Sequence, residues 1–196
     1  YNDLESASIQ KDSKNRVAKS VEDVISFVRN SVKNAVSGRL FVGKIDNQTA
    51  SKIKTDTGVN VAGKSALLMD AATGTILYEH NAHESLAPAS VTKVMTMLLI
   101  MEAVDSGKIT LNDTVTASES AAAKGGSQIY LKVGETMTVS DMLKAIAVSS
   151  ANDCACAMAE HLGGSESAFV DKMNARAAEL GRKDTHFVNC TGLDDA

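Results

Sequence analysis

Hydrophobic residues recur at helical spacing along much of the chain. Between about residues 20 and 37, valines repeat three or four positions apart after Ser20 and before Gly38, which predicts one amphipathic helix. From residue 89 onward the pattern is helical again, and glycines that favour helix ends follow two of the segments. The helices predicted there are Ser90 to about Asp105, Ser140–Ser149, Asp153–Leu162 and Glu166–Leu180.

Two short apolar runs in the middle of the chain predict a β-hairpin. Ser65–Met69 and Thr75–Glu79 flank Asp70–Gly74, whose glycine suits a tight turn because it adopts positive φ without steric cost. Leu40–Ile45 is a candidate for a further short strand. An isolated two-stranded hairpin is only marginally stable, so we expect more strands.

The distribution of charge divides the chain near Gly63. Residues 1–62 contain ten Lys and Arg against seven Asp and Glu, whereas residues 63–196 contain ten against 17. We therefore expect an N-terminal extension, 1–62, with the helix at about 20–37, and a larger domain, 63–196. The net charge of −4 excludes the basic surface of a nucleic-acid-binding protein. No apolar run approaches the roughly 20 residues that a membrane-spanning helix needs.

The three cysteines, Cys154, Cys156 and Cys190, do not fit a disulfide framework or a metal site. An odd number cannot pair completely, and Cys-x-Cys on a helix directs the two sulfurs to different faces. His161 and His186 do not supply the His-x-x-x-His spacing of zinc ligands. We interpret the cysteines as small buried side chains, and we expect no metal and no cofactor.

Candidate chemistry begins at Ser90, within the sequence Pro-Ala-Ser-Val-Thr-Lys. Pro88 favours the first turn of a helix, where free N–H groups and the helix dipole stabilise a developing negative charge. Lys93 returns to the same face one turn later, and the rest of this helix is apolar almost all round, as expected of a buried helix. Burial disfavours a charged amine, so Lys93 is a candidate general base for the Ser90 hydroxyl. The alternative is a helix-start serine beside a lysine that extends to solvent.

A second candidate motif, Ser-Ala-Asn at residues 150–152, lies between two predicted helices and about 60 residues after Ser90. The Ser150 hydroxyl can relay a proton from Ser90 or Lys93 to a leaving nitrogen. The Asn152 carboxamide can hold a substrate amide and orient the lysine. The alternative interpretation of this motif is a turn between helices with capping residues.

Ser-x-x-Lys followed by Ser-x-Asn resembles the penicillin-binding D-alanyl-D-alanine carboxypeptidases, within the larger serine β-lactamase and transpeptidase family. The resemblance covers roughly residues 62–196. It implies a β-lactamase/transpeptidase-like α+β fold, represented here mostly by its helical subdomain and the first hairpin of the central sheet, after an extra N-terminal helix. Five segments of the sequence resemble the family: Ser65–Gly74, Pro88–Lys93, Gly125–Leu131, Met142–Asp153 and Asp184–Leu193.

The resemblance also implies an activity. Such enzymes are exported hydrolases of the bacterial cell envelope that remove the terminal D-alanine from peptidoglycan stem peptides ending in D-Ala-D-Ala, and so act in cell-wall biosynthesis and cell shape. The reaction passes through an acyl-enzyme on a serine, here Ser90, with Lys93 and Ser150 as further catalytic residues and Asn152 binding the substrate. β-Lactam antibiotics acylate the same serine. A signal peptide is not in this sequence, which begins at Tyr1.

The sequence departs from the family at the third motif, a Lys-Thr-Gly on a strand that lines the cleft. The sequence ends at Ala196 before this motif, and Lys54–Gly58 is no substitute because it precedes Ser90 and carries two inserted residues. We therefore expect residues 63–196 to be an incomplete domain that is inactive or impaired alone. A second polypeptide or self-association would then complete the sheet.

Two other functions remain open at this point. One is a non-catalytic module of the same fold that recognises penicillin or serves assembly. The other is a β-lactamase, although no Glu-x-x-Leu-Asn pattern follows the Ser-x-Asn motif to activate a water for deacylation. Glu166 fits the first turn of a helix instead, where a carboxylate is favoured by the helix dipole.

Overall fold

The computed structural model describes residues 61–69 and 76–194. The helix predicted at 20–37, the strand at Leu40–Ile45 and the turn at Asp70–Gly74 lie outside the described residues. The described residues fall into two compact units, one before and one after residue 87; the division expected at Gly63 stays a prediction. In the described ranges, no helix combines the length and the apolar character needed to cross a membrane.

The first unit contains the predicted hairpin. Strands β1 (Ala66–Met69) and β2 (Ile76–His80) pair in antiparallel fashion, with Leu67 opposite Glu79. Several apolar side chains of these strands are about half exposed: Leu67, Leu68, Met69 and Leu77. The hairpin therefore leaves apolar surface uncovered, as expected for two strands of a larger sheet.

The second unit is mostly helical. It opens with a 3₁₀ turn, Ala89–Thr92, which leads into α1 (Lys93–Asp105). The chain then forms β3 (Thr114–Thr116), α2 (Glu119–Ala122), β4 (Thr136–Thr138), α3 (Val139–Ser149), α4 (Asn152–Gly163) and α5 (Glu166–Glu179). Strands β3 and β4 pair antiparallel. The helices predicted at 140–149, 153–162 and 166–180 are confirmed, with each end within one residue of its expected position.

Helix α4 forms the centre of the second unit because its small side chains let neighbouring elements approach closely. Its first eight residues, Asn152–Ala159, are all buried. Helices α1, α2, α3 and α5 and strand β3 all contact it. At its C-terminal end, a Cβ added to Gly163 would lie 2.8 Å from the backbone nitrogen of Phe169 in α5. The short link between α4 and α5 therefore requires glycine at this position.

The start of α1 differs from the sequence prediction in two respects. Ser90 precedes the α-helix and lies in the 3₁₀ turn, because Ala89 has a φ of +48°, a left-handed conformation that regular α-helix does not continue. The expectation that this helix is buried all round is also wrong. Val91 and Val94 are 64% and 56% exposed, so the face beside Ser90 is open.

Asp153, the second residue of α4, is fully buried and accepts hydrogen bonds from three backbone N–H groups. Its carboxylate lies 3.2 Å from the nitrogen of Ile129, 3.0 Å from that of Leu131 and 2.9 Å from that of Cys154. These bonds attach the loop between α2 and β4 to the start of α4, where the helix dipole also favours a negative charge.

Asp153→Ala should lower the free energy of unfolding by about 3 kcal/mol or more, because three buried N–H groups lose their acceptor. Asp141→Ala is the matched control. Asp141 lies in the first turn of α3 and bonds Thr138 and Lys144, but its side chain is 49% exposed. Asp141→Ala should lower the free energy of unfolding by about 1 kcal/mol or less. Denaturant unfolding of both variants measures the difference, and equal losses would contradict the structural role of Asp153.

Candidate active site

Ser90 lies in the exposed 3₁₀ turn that precedes α1. The turn is closed by a hydrogen bond from the Val91 nitrogen to the Pro88 oxygen, 3.1 Å long. Ala89 supplies the left-handed backbone conformation immediately before the serine. Strained backbone of this kind is common at functional sites, where it orients a side chain that regular structure would direct elsewhere.

Lys93 is the first residue of α1, and its side chain is buried, with the residue 2% exposed. The amine nitrogen Nζ lies 3.0 Å from Ser90 Oγ and 2.8 Å from the backbone oxygen of Thr191. In the described part of the chain, no carboxylate forms an ion pair with it. Burial therefore lowers the pKa of Lys93 below its ordinary value of 10.5. The sequence-based expectation of a buried lysine beside Ser90 is confirmed.

Ser150 lies at the end of α3 and approaches Ser90 from the other side. It adopts a left-handed conformation, with φ of +53°, which ends the helix. Its hydroxyl donates to Ser90 Oγ over 2.9 Å. Ser90 Oγ is thus within hydrogen-bond distance of both an amine and a second hydroxyl, although Ser150 is 60 residues away in sequence.

Asn152 begins α4 and is 2% exposed. Its backbone nitrogen donates to the Ser127 oxygen at 2.7 Å, and its side-chain Nδ2 donates to the Gly125 oxygen at 2.8 Å. The other side-chain atom, Oδ1, is buried and has no hydrogen-bond partner among the described residues. A Cβ added to Gly126 would lie 2.8 Å from Asn152 Nδ2, so the loop passes against the carboxamide without a side chain between them.

The segment Asn189–Leu193, here called the 189–193 loop, completes the surroundings of the lysine. The Thr191 oxygen accepts the hydrogen bond from Lys93, and the Cys190 oxygen accepts one from Thr96 Oγ1 at 2.7 Å. Sequence reasoning included this segment in the family resemblance but assigned it no role. Its contribution comes from backbone carbonyls, which every residue type supplies, so the sequence carries no direct signal for it.

The side chain of Asn189 fixes the shape of the 189–193 loop. Its Oδ1 accepts hydrogen bonds from the backbone nitrogens of Thr191 and Gly192, at 3.1 and 2.7 Å. An asparagine that bonds its own backbone two residues on is a recurrent turn motif, and it is the one local feature that could have indicated a tight loop here. The turn directs the Thr191 carbonyl towards α1.

Gly192 brings the loop into direct contact with the turn that holds Ser90. Its φ is +77°, and a Cβ at this position would lie 1.9 Å from the Ala89 oxygen and 2.8 Å from Thr92 Oγ1. Glycine is therefore required both by the backbone conformation and by the space available.

This arrangement suits nucleophilic catalysis by a serine. A neutral amine at hydrogen-bond distance can accept the Ser90 proton when the hydroxyl attacks a carbonyl carbon. The Ser150 hydroxyl can pass a proton between the amine and a departing group. The expectation that Asn152 orients the lysine is not met in the described residues, because Asn152 Nδ2 bonds Gly125 whereas Lys93 bonds Ser90 and Thr191.

Comparison with known proteins gives an independent view of the chain. The family model described as D-alanyl-D-alanine carboxypeptidase matches residues 48–196. The D-alanyl-D-alanine carboxypeptidase DacF of Bacillus subtilis is 59% identical over 132 residues, an overlap of 67% of this chain and 34% of that protein. The crystal structure of D-alanyl-D-alanine carboxypeptidase DacD from Francisella tularensis has a TM-score of 0.69 and 35% identity, over 74% of this chain and 35% of that one.

Penicillin binding protein 5 from Haemophilus influenzae is also similar, with a TM-score of 0.67 and 35% identity over 70% of this chain and 41% of that chain. These similarities confirm the α+β, β-lactamase/transpeptidase-like fold, mostly its helical part. The chain spans about a third of the length of the curated relatives that it matches.

Gly192→Ala should lower the free energy of unfolding more than a matched glycine substitution elsewhere. Gly181 is the control because its φ of +72° is nearly the same, while no described atom lies within 4 Å of an added Cβ. Gly181→Ala should cost about 1–2 kcal/mol from backbone strain alone. Gly192→Ala should cost about 1–3 kcal/mol in addition, because the methyl group overlaps the Ala89 carbonyl. Equal losses in denaturant unfolding would show that this contact is not tight.

Proposed function

The chain belongs to the D-alanyl-D-alanine carboxypeptidase family of serine peptidases, and from this membership we propose that it carries the nucleophile and proton-transfer groups of such an enzyme. The proposed substrate is a peptidoglycan stem peptide ending in D-Ala-D-Ala, and the product is free D-alanine. β-Lactam antibiotics acylate the same serine. The proposed location is the extracytoplasmic side of the bacterial cell envelope, where the exported protein acts in cell-wall biosynthesis and cell shape.

The observation that carries this proposal is the environment of Ser90 Oγ. A buried amine lies 3.0 Å from it and a second hydroxyl lies 2.9 Å from it. A serine hydroxyl is a weak nucleophile until a neighbouring base removes its proton. Lys93 is suited to that role because burial lowers the pKa of its amine and so increases the neutral fraction.

In the proposed acylation, Ser90 Oγ attacks the carbonyl carbon of the penultimate D-alanine while Lys93 Nζ takes the hydroxyl proton. The resulting tetrahedral intermediate collapses as the carbon–nitrogen bond to the terminal D-alanine breaks. Ser150 passes the proton from Lys93 to the departing nitrogen, so D-alanine leaves as a neutral amine and the peptide remains as an ester on Ser90. A water then hydrolyses the ester with the same groups in reverse order.

The proposed role of Asn152 is to bind the peptide backbone of the substrate. Its Oδ1 is buried without a partner among the described residues, and an unsatisfied buried acceptor carries a free-energy cost of about 1–3 kcal/mol. A substrate N–H group that donates to Oδ1 would remove this cost. Nδ2 is held by Gly125, which fixes the orientation of the carboxamide.

Further polypeptide is proposed to cover the exposed apolar residues of β1 and β2, namely Leu67, Leu68, Met69 and Leu77. We propose that further β-strands pair beside this hairpin in the active enzyme, as the partial coverage of the longer relatives suggests. Residues 1–196 are accordingly proposed to be impaired in turnover when expressed alone, even though they contain the nucleophile.

Of the alternatives, a β-lactamase is disfavoured by the contacts of Glu166. Its carboxylate lies 2.6 Å from Lys124 Nζ and also accepts hydrogen bonds from Cys190, so it is not free to activate a water. A non-catalytic binding module is disfavoured by Lys93, since binding alone gives no reason to bury an amine against the Ser90 hydroxyl.

Ser90→Ala should abolish covalent labelling by a β-lactam in the intact protein, because the acyl ester cannot form without Oγ. Intact-mass spectrometry should show one β-lactam adduct on the unsubstituted protein. Mass spectrometry of its proteolytic peptides should then place the adduct on the peptide that contains Ser90. Ser106→Ala, at a serine whose hydroxyl bonds the Ala103 oxygen, is the matched control and should label normally. A full adduct on Ser90→Ala would assign the nucleophile elsewhere.

Lys93→Arg should slow acylation by about a hundredfold to ten-thousandfold, because a guanidinium stays protonated and cannot accept the Ser90 proton. Lys172→Arg is the control, since Lys172 also donates to a backbone oxygen, that of Leu162, at 2.8 Å. With Lys93 present, the acylation rate should rise with pH as the amine loses its proton, with a midpoint below 10.5. Stopped-flow acylation across pH measures both effects, and normal rates in a folded Lys93→Arg protein would exclude the general-base role.

A further inference from the structure

An ion pair that does not include Ser90, Lys93 or Ser150 joins the segment before Gly125 to the first residue of α5. Lys124 Nζ lies 2.6 Å from Glu166 Oε2, and the two side chains are 25% and 20% exposed. Lys124 directly precedes Gly125, the residue whose oxygen holds the Asn152 side chain. Glu166 is the first residue of α5, and its other carboxylate oxygen faces the 189–193 loop.

Glu166 Oε1 holds the 189–193 loop at Cys190. It accepts hydrogen bonds from the Cys190 backbone nitrogen at 3.3 Å and from the Cys190 thiol at 3.1 Å. The thiol remains a donor because a hydrogen bond with Cys156, burial and the nearby Glu166 carboxylate all raise the pKa of Cys190. The next residue, Thr191, supplies the oxygen that accepts the hydrogen bond from Lys93.

The charges of the pair are maintained by their mutual contact. Burial alone would raise the pKa of Glu166, but hydrogen bonds from Lys124 and Cys190 outweigh it, and the pKa lies below its ordinary value. Burial would likewise lower the pKa of Lys124, but the hydrogen bond to Glu166 and the electrostatic influence of Glu166 and the two nearby cysteines together outweigh it and raise the pKa. Both groups therefore stay ionised at neutral pH, and the contact between them is a charge-assisted hydrogen bond, a stronger type than a neutral one.

We propose that the Lys124–Glu166 ion pair is a positioning element for the Ser90 reaction, a proposal that rests on the function given above. It fixes the carbonyl groups of Gly125 and Thr191, and through them the Asn152 carboxamide and the Lys93 amine. Among the described residues, neither Lys124 nor Glu166 is hydrogen-bonded to Ser90, Lys93 or Ser150. Their contribution is to keep the base and the amide-binding group in place while the proton moves.

Glu166→Ala should slow acylation of the intact protein by a β-lactam by about tenfold to a hundredfold, since displacement of a catalytic group by about 1 Å has effects of this size. Loss of the Glu166 carboxylate, which holds the 189–193 loop, also admits water to Lys93. The pKa of Lys93 therefore rises towards its ordinary value. The rising limb of the acylation rate therefore moves to higher pH. Stopped-flow acylation across pH measures both quantities.

Glu102→Ala is the matched control. Glu102 pairs with Arg176 at 2.8 Å, with side-chain exposures of 18% for Arg176 and 21% for Glu102, close to those of the Lys124–Glu166 pair. It also lies on α1, the helix that carries Lys93. Glu102→Ala should lower the free energy of unfolding about as much as Glu166→Ala does. Its acylation rate should stay within about twofold of that of the unsubstituted protein, and the rise of this rate with pH should keep the same midpoint. Equal slowing by Glu102→Ala and Glu166→Ala would overturn the proposal, because the effect would then be general destabilisation.

One further variant keeps the test decisive. If Glu166→Ala does not fold, Lys124→Met replaces it, because it also removes the ion pair. An unchanged acylation rate in a folded Lys124→Met protein overturns the proposal.

The outcomes separate this proposal from the proposed function. In one outcome, Ser90→Ala abolishes the adduct, while Glu166→Ala leaves both the acylation rate and the midpoint of its pH dependence unchanged. The ion pair then has no positioning role and the proposed function stands. If Ser90→Ala retains the adduct, the function fails, and the positioning proposal that rests on it fails as well.

Discussion

The burial of one amine determines how the surrounding structure is built. Lys93 Nζ lies inside the second unit with Ser90 Oγ and the Thr191 oxygen as its hydrogen-bond partners and without a carboxylate partner among the described residues. A charged amine in such a place is costly, whereas a neutral amine is tolerated if polar atoms surround it. The same placement that disfavours the charge makes the amine a base for the adjacent hydroxyl. Stability and reactivity at this site therefore have a common origin.

Several local features serve to hold polar atoms around that amine. The left-handed Ala89 and Ser150 bring two hydroxyls together, and Gly192 lets the 189–193 loop contact the turn that holds Ser90. Helix α4 contributes by packing its small buried side chains against α1, the helix that begins with Lys93. The left-handed conformations of Ala89 and Ser150 carry a cost in backbone strain, which is common at functional sites.

The structural features that could be predicted from the sequence are those that depend on the spacing of residues along the chain. The later helices follow from apolar periodicity, and the proximity of Ser90 and Lys93 follows from their separation by three residues. The contact between Ser90 and Ser150 was expected from the chemistry of the two motifs and from the family resemblance, because no local pattern joins residues 60 positions apart. The 3₁₀ turn and the exposed Val91 and Val94 were missed, since an all-apolar helix does not indicate which face is covered.

The contacts of the 189–193 loop and of the Lys124–Glu166 pair could not be predicted either. The loop acts through carbonyl groups, and the pair joins residues 42 positions apart. Glu166 illustrates the difficulty, because its position in the first turn of α5 explains a carboxylate there without any tertiary contact. Only the folded chain brings that carboxylate to Lys124 and Cys190.

The most direct test of this account is a measurement of the Lys93 pKa itself. NMR titration of lysine labelled at Cε reports the ionisation of each amine, and the resonance of Lys93 is assigned by its absence in Lys93→Arg. The account predicts that this resonance titrates at a pH clearly below 10.5, because the buried amine resists protonation. A midpoint at or above 10.5 would show that burial does not lower the pKa of this amine and would contradict its assignment as the base.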